Sequence, residues 1–173
     1  MQSAAQREFF QRFGENLLLD WTHNTNNLGF YLGSLMVTSV WGHGVSIADF
    51  LCLDQTKATM TAVISWFISH NPTAAHLVKS IVTDKDYTEW AVLREQFPDA
   101  RALLCQFHVI RWFGTVILQK KYNMGPRLRD DVQEVLHDMV YARTVDTFAV
   151  LQERLERLLE VASPMFLEYL KAR

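Results

Sequence analysis

Two aspartates stand where apolar runs give way to polar clusters, 64 positions apart. Asp20 follows Leu17-Leu18-Leu19 and opens Asp20-Trp21-Thr22-His23-Asn24-Thr25-Asn26; Asp84 follows Ile81-Val82-Thr83 and opens Asp84-Lys85-Asp86. Carboxylates at the tips of neighbouring buried strands hold a hard divalent cation, Mg²⁺ or Mn²⁺, beside a phosphate. Two such ions can activate a water or a 3′-hydroxyl and stabilise the leaving oxygen of a phosphodiester. The competing reading is local: Asp is also a common turn former and helix cap.

Three further groups have chemical potential. Cys105 and His108, spaced C-x-x-H, could ligate zinc, but a structural zinc site takes four ligands and no second paired motif accompanies them, so zinc is not expected. A Cys–His nucleophilic pair is the other active reading; a buried cysteine with a hydrogen-bonded histidine at a strand–helix junction is the plainer one. His23, three residues after Asp20, could orient a carboxylate or meet a phosphate, or bond within its own polar turn. Five tryptophans offer stacking surfaces if exposed, although Trp66 and Trp90 fall near apolar helical positions and read as core.

The elements that must position these residues follow from periodicity. Residues 16–21, 28–40 and about 45–53 read as three strands, with Trp41-Gly42-His43-Gly44 as a turn. Met60, Val63, Ile64 and Phe67 recur at helical spacing between Thr56 and His70, and Asn71-Pro72 ends that helix. A strand near 78–83, a helix near 86–96 and a strand near 101–106 complete a βββαβαβ order. In a sheet ordered 3-2-1-4-5, the first and fourth strands are neighbours. After His108 the pattern is helical: Val109 to Lys121, Pro126 to about Tyr141, a segment carrying Leu151, Leu155 and Leu159, and a short helix from Ser163-Pro164. The division expected is a lead-in over 1–15, an α/β core over 16–112 and a helical part over 113–173.

Bulk properties bound the rest. At 173 residues with 49% hydrophobic and 21% charged content, the chain can bury a core. A net charge of -2 gives no global attraction to nucleic acid. The halves differ: residues 1–100 carry 6 Lys/Arg against 10 Asp/Glu, and residues 101–173 carry 11 against 9, enough for a modest basic face. Two cysteines make no disulfide framework, and no apolar run approaches membrane-spanning length. An intracellular, reducing compartment is expected; a nuclear one stays open, with no nuclear-type basic cluster in view.

Together the motifs Leu18-Leu19-Asp20-x-Thr22-His23-Asn24-Thr25-Asn26, Val82-Thr83-Asp84-Lys85-Asp86 and Phe97-Pro98-x-Ala100-x-x-Leu103-Leu104-Cys105-Gln106-Phe107-His108-Val109 resemble the Mutator-like (MULE) transposase core. Within it the chain looks closest to the RNase H-like domain of SWIM zinc-finger proteins of the one/three type. The resemblance implies an RNase H-like mixed sheet with an all-helical insertion, and a D-D-E triad binding divalent metal. Asp20 and Asp84 fall on the first two acids, and Cys105 and His108 on the family's C-x-x-H motif.

No third acid is assigned. The chain reads as ending within or just past the helical insertion, truncated before that Glu. The resulting expectation is a transposase-derived domain, catalytically incomplete, that retains nucleic-acid binding with DNA as partner. Its rivals are a DDE nuclease completed by another segment or chain, and a protein-interaction domain. In the latter the apolar side of the last helix, Phe166 and Leu170, is left for self-association.

Overall fold

A computed structural model describes residues 1–22, 27–84 and 87–172, without the side chains of Ala74 and Tyr87. It divides into two compact units, Met1–Cys105 and Gln106–Arg173. The division falls at the junction after the last strand, seven residues before the boundary expected from sequence.

The first unit holds a five-stranded mixed sheet in the order β3-β2-β1-β4-β5. Its strands are β1 (Asn16–Thr22), β2 (Tyr31–Thr38), β3 (Gly44–Cys52), β4 (Ser80–Thr83) and β5 (Arg101–Leu104). β1, β2 and β3 form an antiparallel meander, while β4 runs parallel to β1 and β5 parallel to β4. The β2–β3 turn closes through Ser39 and His43, with Gly42 at φ 76° as the left-handed residue the turn requires. Two-residue alternation sends Leu17, Leu19, Leu35, Val37 and Ile81 to a buried face. There they meet Met60, Ile64 and Phe67 of α2 (Lys57–His70) and Val92 and Leu93 of α4 (Tyr87–Gln96); the one-turn α3 (Pro72–Ala75) adds Ala75.

The lead-in is itself a helix, α1 (Ala4–Phe13), started by a capping box in which Ser3 and Gln6 satisfy each other's backbone N–H groups. It carries Phe9, Phe10 and Phe13 among polar residues. Phe10 is fully buried, its ring 4.8 Å from that of Phe67. Trp66 departs from the core reading: it lies on the exposed side of α2, stacked at 4.5 Å on His70. The fifth strand stops at Leu104 rather than 106, because Gln106 already begins a helix.

The second unit is helical: α5 (Gln106–Val116), a 3₁₀ turn (Lys120–Tyr122), α6 (Pro126–Val140), α7 (Val145–Ala162) and α8 (Pro164–Lys171). Its core joins Ile117, Tyr122, Val132, Val135, Leu155, Leu159 and Phe166. The last helix turns Phe166 inward, with Leu170 half-buried and Met165 exposed. Phe166 is fully buried edge-on against Tyr122 at 4.8 Å, and the Ser163 hydroxyl donates to the Tyr122 carbonyl at 2.7 Å. Glu153, Glu156 and Glu160 form an exposed side of α7, where Arg157 pairs with Glu153 and Lys171 with Glu156.

Removing the α1 anchor opens a void that the sheet cannot refill. Phe10→Ala should destabilise the first unit by about 3–5 kcal/mol, read as a fall in the urea midpoint. An unchanged midpoint would mean that α1 contributes nothing to the core.

Candidate functional site

The site is built by the β1–β4 ladder. Leu17 pairs with Ile81 and Leu18 with Val82 in parallel register. Asp20 lies two residues past Leu18 on β1, and Asp84 is the residue that follows β4. Register partners share a face of the sheet. Leu17, Leu19, Ile81 and Thr83 occupy the buried face and Asp20 alternates to the other; Asp20 and Asp84 are both half-buried. The two acids singled out in the sequence therefore lie on, and one residue past, neighbouring parallel strands.

The row extends across the sheet. Asp20 pairs with Ser34 on β2, and Ser34 with Asp49 on β3. Asp49 accepts hydrogen bonds from Ser34 and Ser46, each hydroxyl at 2.7 Å, and from the Gln6 amide at 3.1 Å. Its backbone takes both partners from Met1: the Asp49 N–H donates to the Met1 carbonyl, and the Met1 ammonium donates to the Asp49 carbonyl. Sequence reasoning missed Asp49, although an acid inside the apolar strand Val45-Ser46-Ile47-Ala48-Asp49-Phe50 was a usable signal.

Trp21 does not crowd Asp20. Alternation turns it to the buried face, edge-on to Phe50 at 5.1 Å. Gly33 lies between them in register, and a Cβ there would fall 2.1 Å from the Phe50 ring. Glycine is required at that position by close approach rather than by a turn.

Beneath Asp84, Thr83 is fully buried and its hydroxyl donates to the carboxylate of Glu89, a buried residue in the first turn of α4. This bond ties the tip of β4 to the following helix and limits how far Asp84 can move. Nothing in the spacing of Glu89 marks it as buried.

His23 lies outside the described residues, as do Asn24, Thr25, Asn26, Lys85 and Asp86. Cys105 ends the first unit, its N–H donating to the Thr83 carbonyl at 2.8 Å. His108 belongs to the second unit, in the first turn of α5, with its ring edge-on to Phe107 at 5.2 Å. Cys52 is buried; burial first, and then nearby Asp54, pushes its thiol up and away from nucleophilic chemistry. Among the described residues no group of three or more His, Cys, Asp or Glu could hold a metal ion, and no helix is long and apolar enough to cross a membrane.

Residues 1–103 match the family model described as the RNaseH-like domain of zinc finger SWIM domain-containing protein 1/3. The chain belongs to this family. The match covers the α1–β5 unit and gives the mixed sheet its name, an RNase H-like fold. Among solved structures, a chain of the simian T-cell lymphotropic virus intasome in complex with the PP2A regulatory subunit B56 gamma aligns at 12% identity. Its TM-score is 0.38, and the alignment covers 79% of this chain and 46% of that one, a likeness too distant to bear on function.

The carboxyl of Asp49 is subject to opposing influences. Burial raises it, but hydrogen bonds from Ser46, Ser34 and Gln6, with the Met1 ammonium, outweigh burial and hold it below its ordinary 3.8. A depressed carboxyl stabilises the fold above its unfolded value, and that contribution is lost as pH falls through the folded value. Asp49→Asn should therefore flatten the dependence of the urea midpoint on pH below about pH 4. An identical acid limb in the variant would show that the network carries no linkage.

Proposed function

We propose that this chain is a transposase-derived, nucleic-acid-binding RNase H-like domain. In this reading Asp20 and Asp84 hold a divalent cation, Mg²⁺ or Mn²⁺, against a phosphate of the bound strand. The observation that supports it is the parallel pairing of β1 with β4, which carries Asp20 near the end of one strand while Asp84 follows the other. Two carboxylates fit part of the oxygen shell of a hard cation, the remainder being water and substrate phosphate, as is usual for Mg²⁺. A cation bound there supplies electrophilic polarisation of a phosphoryl oxygen and a more acidic water.

The residues of the chain do the rest. Thr83 and Glu89 fix the tip of β4, and the Trp21–Phe50 packing beneath Gly33 fixes the tip of β1. Efficient cleavage needs a third acid to complete charge and geometry, and we assign none of the described residues to that role. The domain on this reading binds nucleic acid with metal assistance and does not cut it unaided.

Calorimetric titration of Mn²⁺ should show saturable binding to the full chain, weakened about tenfold or more in Asp20→Asn and in Asp84→Asn. A labelled duplex should bind more tightly with Mg²⁺ present, without cleavage. Mn²⁺ binding untouched by both substitutions would sink the metal assignment, and robust cleavage would sink the incompleteness.

A further inference from the structure

Basic residues are segregated within the helical unit. From Gln106 to Arg129 the chain holds five, Arg111, Lys120, Lys121, Arg127 and Arg129, and no acid. Residues 130–173 reverse the balance, with nine acids and five bases. The pairing is segregated too. On α7 and α8, Arg154 pairs with Glu134 at 3.2 Å, Arg157 with Glu153 at 3.7 Å and Lys171 with Glu156 at 3.5 Å. Among the described residues none of the five earlier cations has an acidic partner.

Chain connectivity gathers three of them. Lys120 and Lys121 lie on the 3₁₀ turn that leaves α5, and Arg127 lies in the first turn of α6, so all three occupy one end of the α5–α6 hairpin. All three are exposed. Lys121 is held in place, its ammonium 4.8 Å from the ring centroid of Tyr122 and 5.6 Å from that of Tyr169.

This arrangement works against local stability. The first turn of α6 holds no acid, and its N-cap, Gly125, makes no side-chain hydrogen bond. A helix N-terminus is electropositive and favours acids, so Arg127 and Arg129 stand where folding alone disfavours them. The nearest acids in the chain, Asp130 and Asp131, follow on α6 past this first turn. A local rule broken without internal compensation marks a surface shaped for a ligand, and the ligand that relieves it is anionic and extended.

We infer that Lys120, Lys121 and Arg127 form a surface that grips the phosphate backbone of a nucleic acid, without reading base sequence. The inference rests on the nucleic-acid reading above and gives it a location outside the acidic row. An anionic membrane is a poorer fit. Membrane-surface binding needs a broad exposed apolar face beside the charges, whereas the α6 residues Val132, Val135 and Leu136 are buried in the core, leaving Leu118 as the exposed apolar neighbour.

The test is the salt dependence of binding to a mixed-sequence DNA duplex, without divalent cation, between about 50 and 200 mM salt. The full chain is compared with Lys120→Gln/Lys121→Gln/Arg127→Gln. The triple variant should lose about tenfold or more in affinity, and its log–log salt slope should shrink by about two to three. Lys120→Gln/Arg127→Gln, which leaves the Lys121 ring contacts alone, should show about two-thirds of that change in slope, with an unaltered unfolding midpoint. Arg154→Gln/Arg157→Gln should change neither quantity.

A wild-type chain that binds while the triple variant binds equally well overturns this surface and leaves the nucleic-acid reading standing. A wild-type chain that does not bind overturns both. Equal, lysine-dependent binding to phosphatidylcholine–phosphatidylserine vesicles overturns the choice of nucleic acid.

Discussion

The parallel hydrogen-bond ladder between β1 and β4 is the constraint from which the rest follows. It joins segments more than 60 residues apart, and a slip of one residue would send either acid to the buried face. What prevents the slip is apolar. Leu17 and Ile81 pair on the core side at 1% exposure each, so a one-step shift would bury an acid and expose a leucine or isoleucine. The meander contributes in turn, because β2 and β3 extend the same alternation outward and complete the polar row with Ser34 and Asp49.

Much of this architecture was legible in the chain. An apolar run ending in polar residues, a β-branched and aromatic stretch and a glycine-containing turn gave the meander, and the helical spacing of Met60, Ile64 and Phe67 gave α2. The strand order followed from sequential hairpins and crossover helices, and is the order observed. What stayed hidden was hidden for physical reasons. α1 reads in the chain only as a polar, amphipathic lead-in, because its hold on the core comes from Phe10, with Phe9 and Phe13 packed beside it, and from a capping box, contacts that appear only once the chain is folded. Trp66 read as core because its neighbours are apolar, yet it takes the side of α2 away from the sheet.

The site was half legible. Asp20 and Asp84 could be named because each ends an apolar run, and the structure makes the strands that carry or precede them parallel neighbours. Asp49, Ser34 and Glu89 could not be placed from spacing, because their roles depend on which residue lies opposite in a neighbouring strand or helix. The second unit shows the reverse situation. Its charge pattern was visible as a modest excess of bases, but only the ion pairs on α7 and α8 separate bound cations from available ones.

The interlock of Trp21, Gly33 and Phe50 spans three strands on the side of the sheet away from the acids. Because Trp21 is the very next residue after Asp20, the greasy layer and the charged layer are two sides of one ribbon. Any methyl group introduced at position 33 would press on Phe50 and be felt on the opposite surface. Such a lesion would disturb the layer behind Asp20 while leaving every acid in place, and a sequence comparison confined to the acids would never flag it.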